Sequence, residues 1–281
     1  MLARNAEALY WIGRYVERAD DTARILDVAV HQLLEDSSVD PDQASRLLLR
    51  VLGIEPPDHE LDVWSLTDLV AFSTNSQGGS SIVDAISAAR ENAKSAREVT
   101  SSETWECLNT TYNALPERER AAKRLGPHEF LSFIEGRAAM FAGLADSTLL
   151  RDDGYRFMLL GRAIERVDMT VRLLLSRVGD SASSPAWVTL LRSAGAHDTY
   201  LRTYRGVHDA RPAFPALGLS LVEAGRTQSR RVDAQSAQPD RGDHRSTAVV
   251  RASTQRAGIR ATRRPARDLG EPPGGLADDL S

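Results

Sequence analysis

Apolar residues recur every three or four positions from residue 5 to about residue 34, at Leu9, Ile12, Val16, Ala19, Ala23, Leu26, Val30 and Leu33. That spacing predicts one amphipathic helix of roughly eight turns. Asp40-Pro41 then reads as an N-cap followed by proline at the first helical position, with Gln43 completing a capping box. The helix that follows stops at Gly53, and Pro56-Pro57 confirms the break. A shorter helix is expected over residues 61–72, before the loop chemistry of residues 75–80, NSQGGS. Ser81 caps the next helix, with Asp84 at the capping-box position. Residues 101–115 predict another, ended by Pro116, and Gly126-Pro127 opens one over residues 128–145. Asp152 and Asp153 lead into a second long helix, residues 154–178, closed by Gly179. Ser184-Pro185 repeats the cap-then-proline start, and that helix ends at Gly195. No segment alternates in the manner of a strand. The pattern predicts an all-α helical bundle.

Two stretches of this pattern are nearly the same text. GRYVERADDTARIL at residues 13–26 and GRAIERVDMTVRLL at residues 161–174 share eight of fourteen residues. LLRVLG at residues 48–53 is echoed by LLRSAG at residues 190–195. The first spacing, 148 residues, is far longer than the unit of a solenoid. It predicts two related halves, each led by one of the two long helices.

On a helical wheel Ile12, Val16, Ala19, Ala23 and Leu26 share the core side. Arg14, Glu17, Asp20 and Arg24 fall with Gly13 on the opposite arc, with Arg18 and Thr22 at its edge. The second copy places Arg162, Glu165, Asp168 and Arg172 with Gly161 in the same way, flanked by Arg166 and Thr170. A solvated face laced with weak salt bridges is the plain reading. Retention of the same residue types at the same spacing favours a face that meets something specific. Two such faces would pool their acids and arginines in a buried network, or in a cleft for a ligand or partner. Arginine forks suit a phosphate or carboxylate better than a cation. No histidine stands three residues after a glutamate, as a carboxylate-bridged metal pair would want. No metal or cofactor is expected.

Composition narrows the classes further. One cysteine, Cys107, excludes a disulfide framework, and its helical setting reads as core rather than nucleophile. His59 and His128 stand near helix starts without an evident partner, and there is no GxSxG, P-loop or GxGxxG. Residues 146–153, DSTLLRDD, form a polar joint that serves as capping or as part of the same cleft. No apolar run approaches the roughly 18 residues of a membrane span, and no signal peptide is visible, so a cytoplasmic setting is expected. The net charge of −4 hides a split: residues 211–281 carry 12 Arg and 8 acids, leaving −8 on the rest. That acidic body argues against nucleic acid as a partner. From residue 210 helical periodicity dissolves, and six of the 12 prolines fall in this tail. The tail reads as disordered, or as the product of a frameshift near Arg211 that interrupts the second half. The expected domains are 1–209, helical, and 210–281, tail.

The text NAEALYWIGRYVERADDTARILDV, with later blocks at residues 89–109, 143–174 and 190–206, resembles the alpha-E family of bacterial helical proteins. The resemblance covers roughly residues 1–209, and the family's C-terminal helical block is absent after TYRG. It maps the family's Glu-Arg motif to Glu17-Arg18 and, in second copy, to Glu165-Arg166. It implies association with circularly permuted ATP-grasp proteins and transglutaminase-like proteins, hence an amide-ligating or peptide-modifying system. A non-enzymatic scaffold that docks the ligase and holds a peptide or anionic ligand is the first expectation. An enzyme using the Glu/Arg cleft on an amide or phosphorylated intermediate is the alternative.

Overall fold

A computed structural model describes residues 1–37, 39–74, 81–176 and 184–204, and every regular element among them is helical. The elements are α1 (Ala3–Glu35), α2 (Pro41–Leu52), α3 (Val63–Thr67), α4 (Ile82–Ser95), α5 (Ser102–Leu125), α6 (His128–Thr148), α7 (Asp153–Leu175), α8 (Ser184–Ser193) and α9 (His197–Tyr204). Three of the predicted caps form. Asp40 accepts from the Asp42 amide, Ser81 from that of Asp84, and Asp152 from that of Tyr155. Gly53 and Gly195 close α2 and α8 in the left-handed region, at φ of 75° and 63°, where glycine meets no Cβ penalty.

Three boundaries differ from expectation. Pro116 does not end α5, which continues to Leu125. Pro116 and Tyr112, whose carbonyl would have received the missing N–H, lie on the exposed side, so water can replace that bond. The helix expected over residues 61–72 divides into α3 and a π-helical turn, Asp68–Phe72. Helix α9 follows Gly195, where the pattern alone gave no element. The expected closing residue Gly179 and the whole tail from residue 210 lie outside the described residues.

Helix α1 is the axis of the bundle, about 50 Å long at 1.5 Å per residue. Its predicted core side packs as expected. Leu9, Ile12 and Val16 join Ala89, Cys107, Leu108 and Phe141, while Ala19, Ala23, Leu26 and Val30 join residues of α2 through α6. Cys107 is therefore a core thiol, and Arg137 of α6 bridges to its carbonyl and to Thr111, tying α6 to α5.

The polar arc of α1 is buried too. It packs along α7, which runs parallel to it: Leu9 lies near Gly154, and Ile25 clusters with Met169 and Leu173. The approach is close because Gly13 and Gly161 sit at the contact. A Cβ on Gly13 would collide with the Met158 carbonyl oxygen, and one on Gly161 with the Tyr10 carbonyl oxygen. Backbone, not a flexible side chain, blocks both positions. On an open helix face Gly→Ala stabilises by about 1 kcal/mol. Gly161→Ala is expected instead to destabilise by about 3 kcal/mol, through forced separation of α1 and α7. Urea unfolding checks the sign, and a stabilised variant would refute the contact.

Candidate functional site

The two Glu-Arg stripes meet face to face along the α1–α7 contact. Glu165 accepts from Arg14 Nε and Arg18 Nε of the other helix, at 2.6 Å each. Glu17 accepts from Arg162 Nε at 2.9 Å and Arg166 Nε at 2.6 Å. Each glutamate is only 1% exposed. Glutamate and the arginine one residue later both reach across, so one Glu-Arg dipeptide clasps the other. Arg14 and Arg162 each supply a second fork one turn earlier. Parallel helices make this possible, because the same residues then stand level with one another.

The arginines are held at their other edges. Arg14 also donates to the Tyr10 hydroxyl at 3.3 Å and lies over the Trp11 ring, and Arg18 lies over Tyr15. Burial works to lower the pKa of Arg162, but the charge and hydrogen bond of Glu17 outweigh it and leave the guanidinium more firmly protonated.

Asp20, Arg24, Asp168 and Arg172 form a second layer outside this clasp. Arg24 donates to both Asp20 oxygens at 3.1 and 3.2 Å, and Arg172 donates to Asp168 at 3.0 Å. Each arginine then lies beside the closing glycine of a short helix from the other half of the chain: Arg24 at Gly195, Arg172 at Gly53. A cation there faces the negative end of the helix dipole. The closing glycines and the stripe thus belong to one arrangement, a link that no residue spacing announces.

Around Arg24 the two layers cease to match. Asp21 and Glu135 approach it at 3.8 Å each, whereas the residue 148 positions after Asp21 is Met169. Burial raises the carboxyl pKa of Asp20 and Glu135, and raises that of Asp21 well above the ordinary range, aided by Glu17 and Asp20. Asp21 Oδ2 is buried without a hydrogen-bond partner. Asp21 had a visible signal in its pairing with Asp20; Glu135, on α6, had none.

Two groups among the described residues gather three potential metal donors: Glu17, Asp20 and Asp21, and Asp27, His31 and His128. The first is crossed by Arg24 and Arg166, whose charges oppose a cation. In the second the donors engage one another: His128 Nδ1 lies 2.8 Å from Asp27 Oδ1, and His31 Nδ1 lies 2.8 Å from the Asp27 carbonyl oxygen. The joint between α6 and α7 has its own hydrogen bonds, and the charge of its Asp146 also acts on Arg162 of the clasp. Tyr155 donates to Asp146 at 2.5 Å, its pKa is pushed up to about 12 by burial and that bond, and Arg151 covers its ring.

These features define an all-helical protein held together by a reciprocal Glu-Arg clasp between two parallel helices. The chain belongs to the Alpha-E family, described as a predicted alpha-helical domain with a conserved ER motif, over residues 1–220. It is also similar to uncharacterized proteins of Mycobacterium bovis and of two Mycobacterium tuberculosis strains. Identity is 22% over 178 residues, covering 56% of this chain and 20% of each relative. The chain therefore spans about a fifth of the length of those relatives. No solved structure matches. Among the described residues no helix is long and apolar enough to cross a membrane.

Removing one partner of a buried ion pair strands the others in a low-dielectric interior, at a cost of about 3–5 kcal/mol. Glu17→Ala and Glu165→Ala are each expected to lose that much in urea unfolding. Asp168→Ala, whose carboxylate is 41% exposed, should lose at most about 1 kcal/mol. Equal losses at Glu17 and Asp168 would refute the division into clasp and outer layer.

Asp27 raises the His128 pKa through a hydrogen bond and its charge, with smaller help from Glu135 and Glu129 and with His31 at the ring edge. The pair's stabilisation is full below the ordinary histidine range and is lost as pH rises through the raised value. Titration by NMR should place His128 above the ordinary histidine range, and Asp27→Asn should bring it down. A His128 titration insensitive to Asp27→Asn would count against the pair.

Proposed function

We propose that the chain is built from two related helical halves and serves as a helical partner or scaffold in an ATP-grasp-type peptide or amide ligation system. The duplication reading draws support from the repeated text at residues 13–26 and 161–174, and from the way each stripe answers the other with the same residue types. The proposed partners are a circularly permuted ATP-grasp protein and a transglutaminase-like protein, the associations implied by the family resemblance. A peptide or anionic ligand would meet the arginine-rich margins of the clasp, where Arg18 and Arg166 keep 27% and 32% of their side chains exposed.

One observation favours the scaffold over the enzyme. Both motif glutamates are 1% exposed and each is saturated by two arginines, so neither is presented to a substrate. General acid–base work needs a carboxyl within reach of the substrate. Glu17 and Glu165 are instead committed to joining α1 to α7.

The test is co-expression and purification with a co-encoded ATP-grasp protein, followed by measurement of ATP-dependent amide formation with and without this chain. A stoichiometric complex that changes the ligase rate is expected, with no turnover by this chain alone. Absence of a complex at micromolar concentrations would sink the scaffold reading. Turnover of an amide or phosphorylated peptide by the isolated chain would favour the enzyme.

A further inference from the structure

Asp27 and His31 stand one turn apart on α1, and His128, the first residue of α6, comes up beside them from 101 positions after Asp27. Both imidazoles turn towards one carboxylate oxygen. Asp27 Oδ1 lies 2.8 Å from His128 Nδ1 and 3.6 Å from His31 Nδ1. The two rings meet edge to face with their centres 5.1 Å apart. Asp27 keeps only 19% of its side chain exposed, whereas His31 and His128 keep 48 and 60%. The carboxylate is thus recessed and the imidazoles open to solvent.

Those spacings are close to what a small cation imposes. Tetrahedral zinc, with bonds of about 2.0–2.1 Å, sets its ligand atoms about 3.3 Å apart. The two separations fall on either side of that value, and one donor atom from each of the three residues lies within 4.8 Å of the others. The surrounding charge favours a cation as well. Beyond Asp27, the charges that act most strongly on His128 are those of Glu135 and Glu129. Arg24 reaches Glu135 at 3.8 Å but is held by both oxygens of Asp20. The amino end of α6 carries a partial positive charge, which Glu129 in its first turn opposes. A proton on His128 answers one of the two imidazole contacts at Oδ1; a divalent ion answers both.

We infer that Asp27, His31 and His128 form a binding site for a divalent transition-metal ion of the zinc type, joining α1 to α6. Imidazole nitrogen suits zinc, copper and nickel, whereas magnesium and calcium take oxygen ligands. Three protein ligands leave a fourth position for water, and the exposed imidazoles let it in. His31 gives up its 2.8 Å contact with the Asp27 carbonyl oxygen on taking the ion through Nδ1. The Glu-x-x-His spacing does not capture this triad, because an aspartate and a histidine of α1 are completed by a residue of α6.

Isothermal titration calorimetry of the tag-free full chain with zinc chloride, after dialysis against a chelator, tests the assignment. One zinc per chain at micromolar concentrations is expected, with no comparable binding of magnesium chloride. Loss of even a supporting group beside a metal ligand weakens affinity by about 10–100-fold. His31→Ala and His128→Ala each remove a ligand and should weaken zinc binding by about tenfold or more, while His59→Ala leaves it unchanged. Far-UV circular dichroism should show the same helicity in all three, since these side chains are exposed. Where a substitution does cost helicity, NMR of the wild-type chain decides: zinc must shift the His31 and His128 ring signals before those of the other histidines. A chain that takes up no zinc in that range overturns the site, as do ring shifts that begin elsewhere. So does zinc binding that depends on His59 or survives the combined His31→Ala and His128→Ala substitutions, or magnesium binding of equal strength. Neither ligase nor peptide enters the measurement, so the result stands apart from the scaffold reading.

Discussion

Two carboxylates with almost no access to water sit in the middle of the α1–α7 contact, and the bundle is arranged to make that tolerable. Burying one such charge costs several kcal/mol unless it is matched by opposite charge and by hydrogen bonds. Each glutamate receives two arginine forks from the opposite helix, which satisfies charge and geometry together. The requirement fixes more than contact. A slide of one turn would separate Glu17 from Arg166 and Glu165 from Arg18 at once, so the clasp selects a single parallel register. Gly13 and Gly161 allow the backbones to approach closely enough for it to form.

The consequence for α1 is burial on two sides. Its apolar side belongs to α4, α5 and α6, while its polar side belongs to α7. A helix so enclosed has little left to offer a ligand, and its motif residues act on structure first. The exposed margins differ. Arg18 and Arg166 keep part of their side chains in solvent, and the apolar side of α7 is exposed. The charged groups with the least solvent are also the ones most completely paired.

Much of this was legible in the residues. Leu9, Ile12, Val16, Ala19 and Ala23 mark the core side of α1 by spacing alone, because a 3.6-residue period leaves a buried helix face few other ways to read. Asp40, Ser81, Asp152, Gly53 and Gly195 mark helix ends through local chemistry that needs no tertiary context. Pro116 misled, since proline stops a helix by local rules, yet an exposed carbonyl facing water removes most of the cost. The ten stripe residues were identifiable because the chain writes them twice. Glu135 was not, because it reaches Arg24 from α6 and carries no signal of its own.

What the sequence by itself determined is therefore periodic or local: the helices, their ends, the core side of α1, and the recurrence of one charged pattern at Glu17-Arg18 and Glu165-Arg166. Whether that pattern faced solvent, a cleft or its own copy depended on the distance between residues nearly 150 positions apart. Only the tertiary structure decided it. A charge pattern on one helix is compatible with water or with burial, and the choice rests on whether a partner of opposite charge is brought level with it across the contact.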